Sequence, residues 1–527
     1  MAAAGRDRAT VSVAELVGVL SLAADLGLGQ PMEHLTRSCL VAVRLAERMG
    51  LPEADRETTY HLALLAWVGC TADSHETASR FGDDITLRAG VYDVEIGSPP
   101  MLGYLLRRAG SGGTALHRLW EAGGLVRSGG GVVRQSLVAH CQVTGRLAAR
   151  LGLDERLQRC LGQTFTRWDG RGVPAGVGGA GIDVATRLVH LADVMEVHHR
   201  RGGIAGALGE ARRRSGATLD PTVVAAFERH GAAVFDGLPA ESSWPELIAA
   251  DPAPRPLSGS DLDAGLEALA DFVDLKSPWF AGRSRGVADL AAAAGRRSGL
   301  PAAEVVELRR AALLHDLGRA GVPNTIWDKP GALTDLERER VELHAYYTDR
   351  MLRRVPALGG AAAIAALAHE RLDGSGYHRG LTGASIPAPA RLLAAADAYH
   401  AMTEPRPHRD AHAPAAAAVL LRAEAREGRL DPGAVEAVLG SAGHRSRRAA
   451  GGPSGLTQRE VEVLVLLARA ASTRHIAREL GITPKTAGNH IERIYSKIGA
   501  STRAAAALYA MQHGLLRTLE PVEPDGS

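Results

Sequence analysis

The sequence predicts an all-α protein, and three observations support this prediction. Leu, Ala, Arg and Glu recur at three-to-four-residue spacing through most of the 527 residues, as they do in amphipathic helices. Runs of alternating β-branched residues are scarce. Hydrophobic residues make up 46% of the chain, which is enough for sizeable buried cores. At about 150 residues per domain, the length predicts three or four domains.

The composition excludes several classes of protein. Lys and Arg number 61 against 59 Asp and Glu, so no chain-wide field favours nucleic acid or membrane. The four cysteines form no CxxC pair, which argues against a zinc ribbon or a disulfide scaffold. No apolar run approaches the ~20 residues needed to span a bilayer, and the N-terminus lacks the features of a signal peptide. We therefore expect a cytoplasmic protein without a membrane partner.

Two segments interrupt the helical pattern. Residues 236–258 are rich in proline and serine, and residues 441–454 mix glycine with basic residues and histidine. Both compositions are typical of linkers. They predict three domains, at residues 10–235, 259–440 and 455–518.

An internal repeat relates the first two domains. Residues 167–172 (RWDGRG) match residues 371–376 (RLDGSG), 204 positions later, and the same shift pairs Asp193 with Asp397. Upstream, residues 50–52 (GLP) match residues 299–301 with a shift of 249. The repeat predicts two related helical domains in tandem, the first with about 45 extra residues within 69–135.

Five residues of metal-ligating type follow one another in the second repeat: His315, Asp316, His344, His369 and Asp397. Each lies late on or after an apolar helical stretch, so the five can meet in a crevice between crossing helices. Imidazole and carboxylate together suit Mn, Fe, Ni or Zn, and such an ion can activate a water near neutral pH. A lone His-Asp pair is more often a capped or surface pair, and only the series of five favours a metal site.

Residues 273–440 resemble the HD-GYP domain, a subgroup of the HD phosphohydrolases associated with hydrolysis of cyclic di-GMP. The matching segments are AALLHDLGRAGVPNTIWDKPGALT (311–334), AHERLDGSGYHRGLTGASIP (368–387) and RLLAAADAYHAMTEPRPHR (391–409). The resemblance implies a divalent transition metal, Mn, Fe or similar, held by His315, Asp316, His344, His369 and Asp397. It also implies catalytic roles for Asp316 and Arg319, and ligand binding by Arg319, Gly376 and Tyr377.

The sequence departs from the family pattern at ligand positions. Arg283 stands where the family has its first histidine ligand, and Ala368 replaces one of two paired histidines. A guanidinium cannot be deprotonated and cannot bind a metal. Set beside Asp316 and Asp397, Arg283 can instead take the place of a cation. These losses argue against full activity and favour a site that binds a nucleotide phosphate with weak or no hydrolysis.

The first repeat has lost more of the pattern. It keeps His34, His140 and Asp193, but Ala66-Trp67 stands where the second repeat has its His-Asp pair, and Phe165 stands opposite His369. We expect apolar side chains to fill this pocket. The first half then serves packing, dimerisation or sensing.

The C-terminal unit is predicted to form four short helices, at 457–469, 473–480, 484–498 and 501–513. Thr457 and Glu460 form a capping-box pattern, and Pro484 suits the first turn of the third helix. The spacing of the second and third helices is that of a helix-turn-helix. Residues 441–518 contain twelve Lys or Arg against four Glu, a net charge of +8, which favours a phosphate-backbone partner.

Residues 456–510 resemble the LuxR-type helix-turn-helix module; their sequence is LTQREVEVLVLLARAASTRHIARELGITPKTAGNHIERIYSKIGASTRAAAALYA. The resemblance implies phosphate contacts from Lys485, Thr486 and Lys497. It implies base-edge contacts from Gly488, Asn489, Glu492 and Arg493. In this family the last helix pairs two copies, so the implied partners are double-stranded DNA and a second copy of the chain. Ala470 replaces the usual glycine between the first two helices.

The predicted fold is all-α, with two tandem HD-type helical domains and a small C-terminal four-helix helix-turn-helix domain. The predicted function is that of a DNA-binding transcriptional regulator whose HD-GYP-like domains sense a small ligand, such as a cyclic dinucleotide or another phosphate ester. One alternative is a metal-dependent cyclic-dinucleotide phosphodiesterase with a DNA-binding output domain. Another treats both halves as a dimerisation scaffold without a ligand.

Overall fold

The computed structural model describes residues 10–95, 97–128, 130–238, 242–443 and 453–516. Within these residues the secondary structure is almost entirely helical, and one two-stranded antiparallel sheet pairs β1 (Val11–Ser12) with β2 (Pro256–Leu257). The predicted all-α fold is confirmed. No helix in this part of the chain is long and apolar enough to cross a membrane.

The first half of the chain forms twelve α-helices: α1 (Val13–Gly27), α2 (His34–Arg48), α3 (Glu53–Leu65), α4 (Ser74–Phe81), α5 (Asp84–Ala89), α6 (Pro99–Arg108), α7 (Ala115–Arg127), α8 (Gly131–Arg150), α9 (Glu155–Leu161), α10 (Val184–Arg214), α11 (Pro221–Phe235) and α12 (Trp244–Ala249). The second half continues with α13 (Gly259–Asp274), α14 (Arg283–Arg297), α15 (Ala302–Leu314), α16 (Asn324–Trp327), α17 (Asp335–Leu352), α18 (Gly359–Ala365), α19 (Ala388–Thr403), α20 (Pro414–Arg426) and α21 (Pro432–Ala442). The C-terminal part contains α22 (Gln458–Ala468), α23 (Thr473–Glu479), α24 (Pro484–Ile498) and α25 (Arg503–Gln512).

Short 3-10 turns join many of these helices, at Val68–Thr71, Gly90–Asp93, Gly179–Gly181, Pro278–Phe280, Leu317–Gly321, Pro356–Leu358, Gly383–Ser385 and Pro453–Gly455. The described residues group into two compact units. Unit 1 comprises those of residues 1–272, together with 317–327 and 349–359. Unit 2 comprises those of residues 273–316, 328–348 and 360–527.

Unit 1 has its core where α2, α3, α10 and α11 pack together. Apolar residues of α2 and α10 recur every three or four positions and surround Phe227 of α11. Asp220 caps the start of α11 by accepting from the Thr222 N–H, and it also pairs with Arg187 of α10 at 2.6 Å. This pair fixes α11 against α10.

The segment expected to be a linker at 236–258 is partly folded into unit 1. Trp244 of α12 is buried, and its ring would lie 2.8 Å from a Cβ at position 18, so Gly18 of α1 leaves room for it. The hydroxyl of Tyr60 donates to the carbonyl oxygen of Leu247 at 2.9 Å. Strand β2 pairs with β1 further along. Proline and serine content predicted a linker, but burial of Trp244 and the strand pairing order this part of the segment.

Unit 2 is built around α14, which packs against α15, α19 and α21. The small residues along one face of α14 are buried and allow these helices to approach closely. Asp274, at the end of α13, accepts hydrogen bonds from the N–H and the hydroxyl of Ser284, at 2.9 and 2.7 Å. These bonds fix the start of α14, where Arg283 lies.

The C-terminal helices α22–α25 lie within one or two residues of their predicted bounds. The predicted capping box is present: Glu460 N–H donates to the hydroxyl of Thr457, and the Glu460 carboxylate accepts from Thr457 N–H. Pro484 occupies the first turn of α24. Ala470 adopts a φ of +61°, the left-handed conformation that favours the glycine usual in the family. The arginines counted at 445–448 and at 517 lie outside the described residues.

Candidate metal centre and DNA-binding surface

The predicted His-Asp pair lies at the end of α15 in unit 2, fully buried. Nε2 of His315 is 2.9 Å from Oδ2 of Asp316 and 3.1 Å from Oδ1 of Asp397, which lies on α19. Nδ1 of His315 is 2.7 Å from the carbonyl oxygen of Ala312. Nδ1–H donates a hydrogen bond to this carbonyl, which directs Nε2 towards the two carboxylates.

The two later histidines meet the same carboxylate. His344 projects from α17 and His369 follows α18, and their Nε2 atoms are 2.9 Å apart. These two atoms lie 3.4 and 3.3 Å from Oδ1 of Asp316. Nδ1 of His344 also faces a backbone carbonyl, that of Val341. Four crossing helices therefore bring together all five residues that the resemblance implies as metal ligands.

The donor set fits a divalent transition metal. In octahedral coordination with bonds of about 2.1 Å, neighbouring ligand atoms lie roughly 3.0 Å apart. The separations between Nε2 of His344, Nε2 of His369 and Oδ1 of Asp316 are 2.9 to 3.4 Å. Ligand atoms of His315, Asp316 and His369 also lie within 4.8 Å of one another. Imidazole nitrogens and carboxylate oxygens converging in this way are suited to Mn, Fe or a similar ion.

Arg283 enters this pocket rather than solvent. The residue is 2% exposed, and its Nη2 lies 2.5 Å from Oδ1 of Asp397. Its Nε is 3.6 Å from Oδ2 of Asp316, and its Nη1 is 3.6 Å from the carboxylate of Glu404. The guanidinium thus holds the side of the pocket opposite the His344–His369 pair. A fixed positive charge neutralises carboxylates there without offering a lone pair.

The electrostatics of the pocket follow from burial and from these charges. Burial raises the pKa of Asp397, but Arg283 and His315 hold it well below its usual value. Burial lowers the pKa of His315, but Asp316 and Asp397 raise it to about 9. Burial, together with the neighbouring His344, lowers the pKa of His369 to about 4. His369 is therefore neutral near pH 7, the form that binds a metal.

The glycine-rich loop after His369 orients that histidine. The ring of Tyr377 stacks on His369 with centroids 5.2 Å apart and an angle of 11° between the planes. A Cβ at Gly376 would lie 2.5 Å from Cα of Glu370, so only glycine fits the turn. Glu370 accepts from the N–H groups of Arg379 and Leu381, both at 2.8 Å. Gly376 and Tyr377 thus lie in the loop that borders the pocket, and their ligand-binding roles stay predictions.

Arg319 belongs to unit 1, whereas the five ligand residues belong to unit 2. It is buried, and its guanidinium carbon lies 5.5 Å from the centroid of the Trp327 ring. Its segment is anchored within unit 1, because the N–H of Asn324 donates to Oδ1 of Asp84 at 2.8 Å. The roles of Arg319 in catalysis and ligand binding therefore stay predictions.

The first repeat holds a buried cation at the position that corresponds to Arg283. His34 begins α2, with Nδ1 2.5 Å from the Glu196 carboxylate and Nε2 3.0 Å from Oδ1 of Asp193. Burial lowers the pKa of His34, but hydrogen bonds to Asp193 and Glu196 raise it to about 10. The hydroxyl of Tyr92, from the inserted segment, lies 3.1 Å from Nε2 of His34 and 3.2 Å from Asp193. Carboxylates and a phenol therefore fill the part of the pocket around His34, where apolar side chains were expected.

In the first half, aromatic rings lie where the second half has its His-Asp pair and His369, as expected for this part of the pocket. The rings of Trp67, His140 and Phe165 form a cluster with centroids 4.8 to 6.2 Å apart. Nε2 of His140 is 2.6 Å from the carbonyl oxygen of Ala66. Burial lowers the pKa of His140 to about 4, so this histidine is neutral. Aromatic contacts therefore occupy the place of ligands in this half.

Local geometry repeats with the shift of 249 residues. Asp25 accepts from the N–H of Leu35 at 3.0 Å, as Asp274 accepts from the N–H of Ser284. The residue before α2 is Glu33, with a φ of 73°, and the residue before α14 is Gly282, with a φ of 77°. The same helix start recurs in both halves.

Three residues of the two pockets were missed by sequence reasoning. Asp274 could have been found, because it matches Asp25 at the shift of 249 residues. Tyr92 and Glu404 could not, because only the fold brings them to their pockets.

The predicted DNA-contacting residues lie along α24. Lys485, Asn489, Glu492 and Arg493 are exposed, whereas Thr486 and Gly488 are partly buried. Lys497 is engaged within the domain, because its Nζ lies 2.7 Å from the Glu460 carboxylate and 3.0 Å from the carbonyl oxygen of Gly455. The described residues 453–516 contain eight Lys or Arg against four Glu. This surface can contact phosphates, and the individual contacts stay predictions.

Comparisons with known proteins agree with this fold and site. Residues 267–434 match the model of the HD domain, and residues 454–510 match that of the bacterial regulatory proteins of the luxR family. The chain is 30% identical over 407 residues to 3′3′-cGAMP-specific phosphodiesterase 3 of Vibrio cholerae, which covers 76% of this chain and 88% of that relative. It is 44% identical over 108 residues to a cyclic di-GMP phosphodiesterase of Thermotoga maritima, or 20% of this chain and 29% of that relative.

A solved structure agrees as well. The crystal structure of the cyclic GMP-AMP specific phosphodiesterase V-cGAP3 of Vibrio cholerae superposes with a TM-score of 0.58 at 26% identity, covering 82% of this chain and 98% of that one. An all-α fold with a buried His-Asp ligand cluster and a helix-turn-helix domain defines an HD-domain protein with a DNA-binding module. The chain belongs to the HD-domain family that includes the HD-GYP cyclic-dinucleotide phosphodiesterases.

Proposed function

We propose that this protein is a DNA-binding transcriptional regulator whose second HD domain binds a cyclic dinucleotide or a related phosphate ester. The observation that carries the proposal is the pairing of Arg283 with Asp397 inside a pocket that also brings together the other four candidate ligand residues. The relatives are phosphodiesterases of 3′3′-cGAMP and cyclic di-GMP, which supports this class of ligand. The luxR-family module supports double-stranded DNA as the second partner.

The side chains of the pocket support one bound divalent metal beside one guanidinium. His344, His369 and Asp316 would hold the ion, with His315 and Asp397 completing the set. When bound, such an ion supplies a positive charge for a phosphate oxygen and lowers the pKa of a bound water. Arg283 keeps Asp397 paired and excludes a second cation from its side of the pocket. Binding without efficient turnover follows, because one of two positive centres is fixed and cannot activate water.

For the first half, we propose a degenerate HD-type domain in tandem with the second. The repeated start of the helix, the buried cation at His34 and the aromatic cluster around Trp67 support this assignment. No ligand set comparable to that of unit 2 occurs among the described side chains of this half. Its role is to support the second half and to sense or dimerise.

A second candidate function is hydrolysis. It is favoured by the convergence of all five ligand residues, since Asp316, His344 and His369 approach one another at ligand spacing despite the loss of the first histidine. Under this alternative the protein is a metal-dependent cyclic-dinucleotide phosphodiesterase with a DNA-binding output domain. In that case Arg283 stays paired with the pocket carboxylates and also supplies a positive charge for the substrate phosphate.

The test compares the full-length protein with a His315→Ala/Asp316→Ala variant and with His140→Ala as a matched control. His140 is a buried histidine of the first half without ligand neighbours. Metal per chain is measured by elemental analysis, 3′3′-cGAMP and cyclic di-GMP binding by calorimetry, and hydrolysis by chromatography. Affinity for a DNA duplex is measured with and without each nucleotide.

Each outcome selects one function. Nucleotide binding that changes DNA affinity without hydrolysis, and that is lost in the double variant but kept in His140→Ala, supports the regulator. Metal-dependent turnover that is lost in the double variant supports the phosphodiesterase. Absence of both metal and nucleotide binding in the wild-type protein would overturn both and leave a scaffold.

A further inference from the structure

Helix α7 presents an uncovered apolar surface. Leu116, Leu119, Trp120 and Val126 are between 62% and 78% exposed. The helix lies within 69–135, the segment in which the sequence comparison of the two halves predicts about 45 extra residues in the first half. Among the described residues of α7, Leu125 is the buried one, in a cluster with Phe81 and Leu87. An exposed cluster of large apolar side chains of this kind is typical of a protein–protein interface.

The four exposed side chains share one face of the helix. At about 100° per residue, Leu116, Leu119, Trp120 and Val126 fall within an arc of roughly 120°. Leu125 points about 180° away from Leu116, into unit 1. The apolar stripe therefore faces away from the unit that carries it, and repacking within the unit cannot cover it.

The centre of the stripe is shaped to receive a second helix. Gly123 lies in the middle of the arc and Gly124 at its edge, and no heavy atom lies within 4 Å of the Cβ that either would carry. A large ring at Trp120 thus stands one turn from a flat, open stretch of backbone. If two copies of α7 cross antiparallel about a two-fold axis near residues 121 and 122, Trp120 of each copy lies over Gly123 of the other. Each copy then supplies both the ring, at Trp120, and the flat surface that receives the partner's ring, at Gly123.

The area of the stripe matches a dimer rather than a small ligand. From their exposures the four side chains offer roughly 600 Å² of apolar surface per copy. A stable interface buries about 800 Å² per partner, including its polar rim. Within the arc Arg127 is the one charged residue, and its guanidinium carbon lies 5.8 Å from the centroid of the Trp120 ring, so the aliphatic part of its side chain borders the same surface.

We propose that the α7 stripe, defined by Leu116, Leu119, Trp120, Gly123 and Val126, is a homodimer interface. Two chains pair through antiparallel α7 helices with Trp120 packed on Gly123 of the partner copy. This interface is separate from the α25 helix that luxR-type modules use, and it does not depend on the HD pocket. It joins two copies through the first half before DNA is bound.

The test measures the oligomeric state of the full-length protein by sedimentation velocity across a concentration series without DNA. The first variant is Trp120→Glu. The second is Gly123→Leu, which adds apolar surface to a helix position with free space and raises helix propensity. The matched control is Val419→Glu on α20, because Val419 is 62% exposed, as Val126 is.

A wild-type dimer that is weakened at least tenfold by Trp120→Glu and by Gly123→Leu, and is unchanged by Val419→Glu, supports the proposal. A monomeric wild-type protein at all concentrations overturns it. Gly123→Leu that leaves association unchanged or strengthens it also overturns it, since a surface that is merely sticky, or one that accepts another protein, gains from an added leucine. If Trp120→Glu fails to fold, the Gly123→Leu result decides.

Discussion

Replacing Arg283 with histidine is expected to increase metal binding in the second HD domain. In the wild-type pocket the guanidinium contacts Asp397 at 2.5 Å and lies 3.6 Å from both Asp316 and Glu404. Histidine removes this fixed charge and supplies a neutral nitrogen at the start of α14, where the family has its first ligand. The three carboxylates then lose their permanent cationic partner, which favours a metal in its place.

The size of the effect follows from the charges. A divalent ion on Oδ1 of Asp316 and the guanidinium beside Oδ2 would be on the order of 5 Å apart, and at an effective dielectric constant of about 20 their repulsion would be about 7 kcal/mol. Relaxation and the lost Arg283 pairs reduce the gain. We therefore expect Arg283→His to tighten Mn²⁺ binding by ten- to a hundredfold and to raise the metal content by up to one equivalent.

The assay is elemental analysis together with calorimetric titration of Mn²⁺ into the full-length protein. Arg283→Lys is the control, because it keeps the charge and lacks a lone pair for the metal at neutral pH. Thermal unfolding gives an independent readout: Arg283→His should become sensitive to chelator, whereas the wild type and Arg283→Lys should respond less. Equal metal content and affinity in Arg283→His and Arg283→Lys would refute the reasoning that the guanidinium occupies a cation position.

Three further predictions test other parts of the chain. The pKa of His34 is raised to about 10, so its charge stabilises the fold fully below pH 6.5 and this stabilisation is lost towards pH 10. The difference in unfolding free energy between wild type and His34→Gln should therefore shrink by up to about 1.4 kcal/mol per pH unit above pH 6.5 in denaturant titrations. The corresponding difference for His140→Gln should stay constant, because His140 is neutral. The same pH dependence in both variants would contradict a charged His34. Ala470→Gly should stabilise the C-terminal domain by about 0.5–1 kcal/mol in thermal unfolding, because φ is +61° at this position, and a loss of stability would argue against that backbone. Lys485→Ala should reduce the salt dependence of duplex DNA binding by about 0.9 in the log–log slope. Lys497→Ala should reduce it less, because Lys497 pairs with Glu460; equal slopes for the two variants would count against this assignment.

The candidate ligand residues of the second half could be recognised because their pattern is local in sequence. His315 and Asp316 are adjacent, and His344, His369 and Asp397 each follow an apolar helical stretch. The position of Arg283 was predictable as a replaced ligand, but its rotamer was not. Whether a guanidinium turns to solvent or to carboxylates depends on the packing of α14 against α19, which no local pattern encodes.

The segment at 236–258 is one whose structure could not be predicted from local sequence. Its proline and serine content predicted a linker, yet Trp244 finds a cleft over Gly18 and Leu257 pairs with Val11. These contacts join residues more than two hundred positions apart. Composition reports the local preference of the backbone, whereas long-range burial decides whether such a segment is ordered.

The sequence by itself determined the helical class and, within one or two residues, the bounds of the C-terminal helices, and it singled out the five residues of ligand type that the fold brings together. These features depend on periodicity, capping and residue type within short windows. Only the tertiary structure decided that Arg283 and His34 act as buried cations and that α7 carries an uncovered apolar stripe. The physical reason is that charge pairing and burial are set by which helix faces meet, and that is a property of the folded chain.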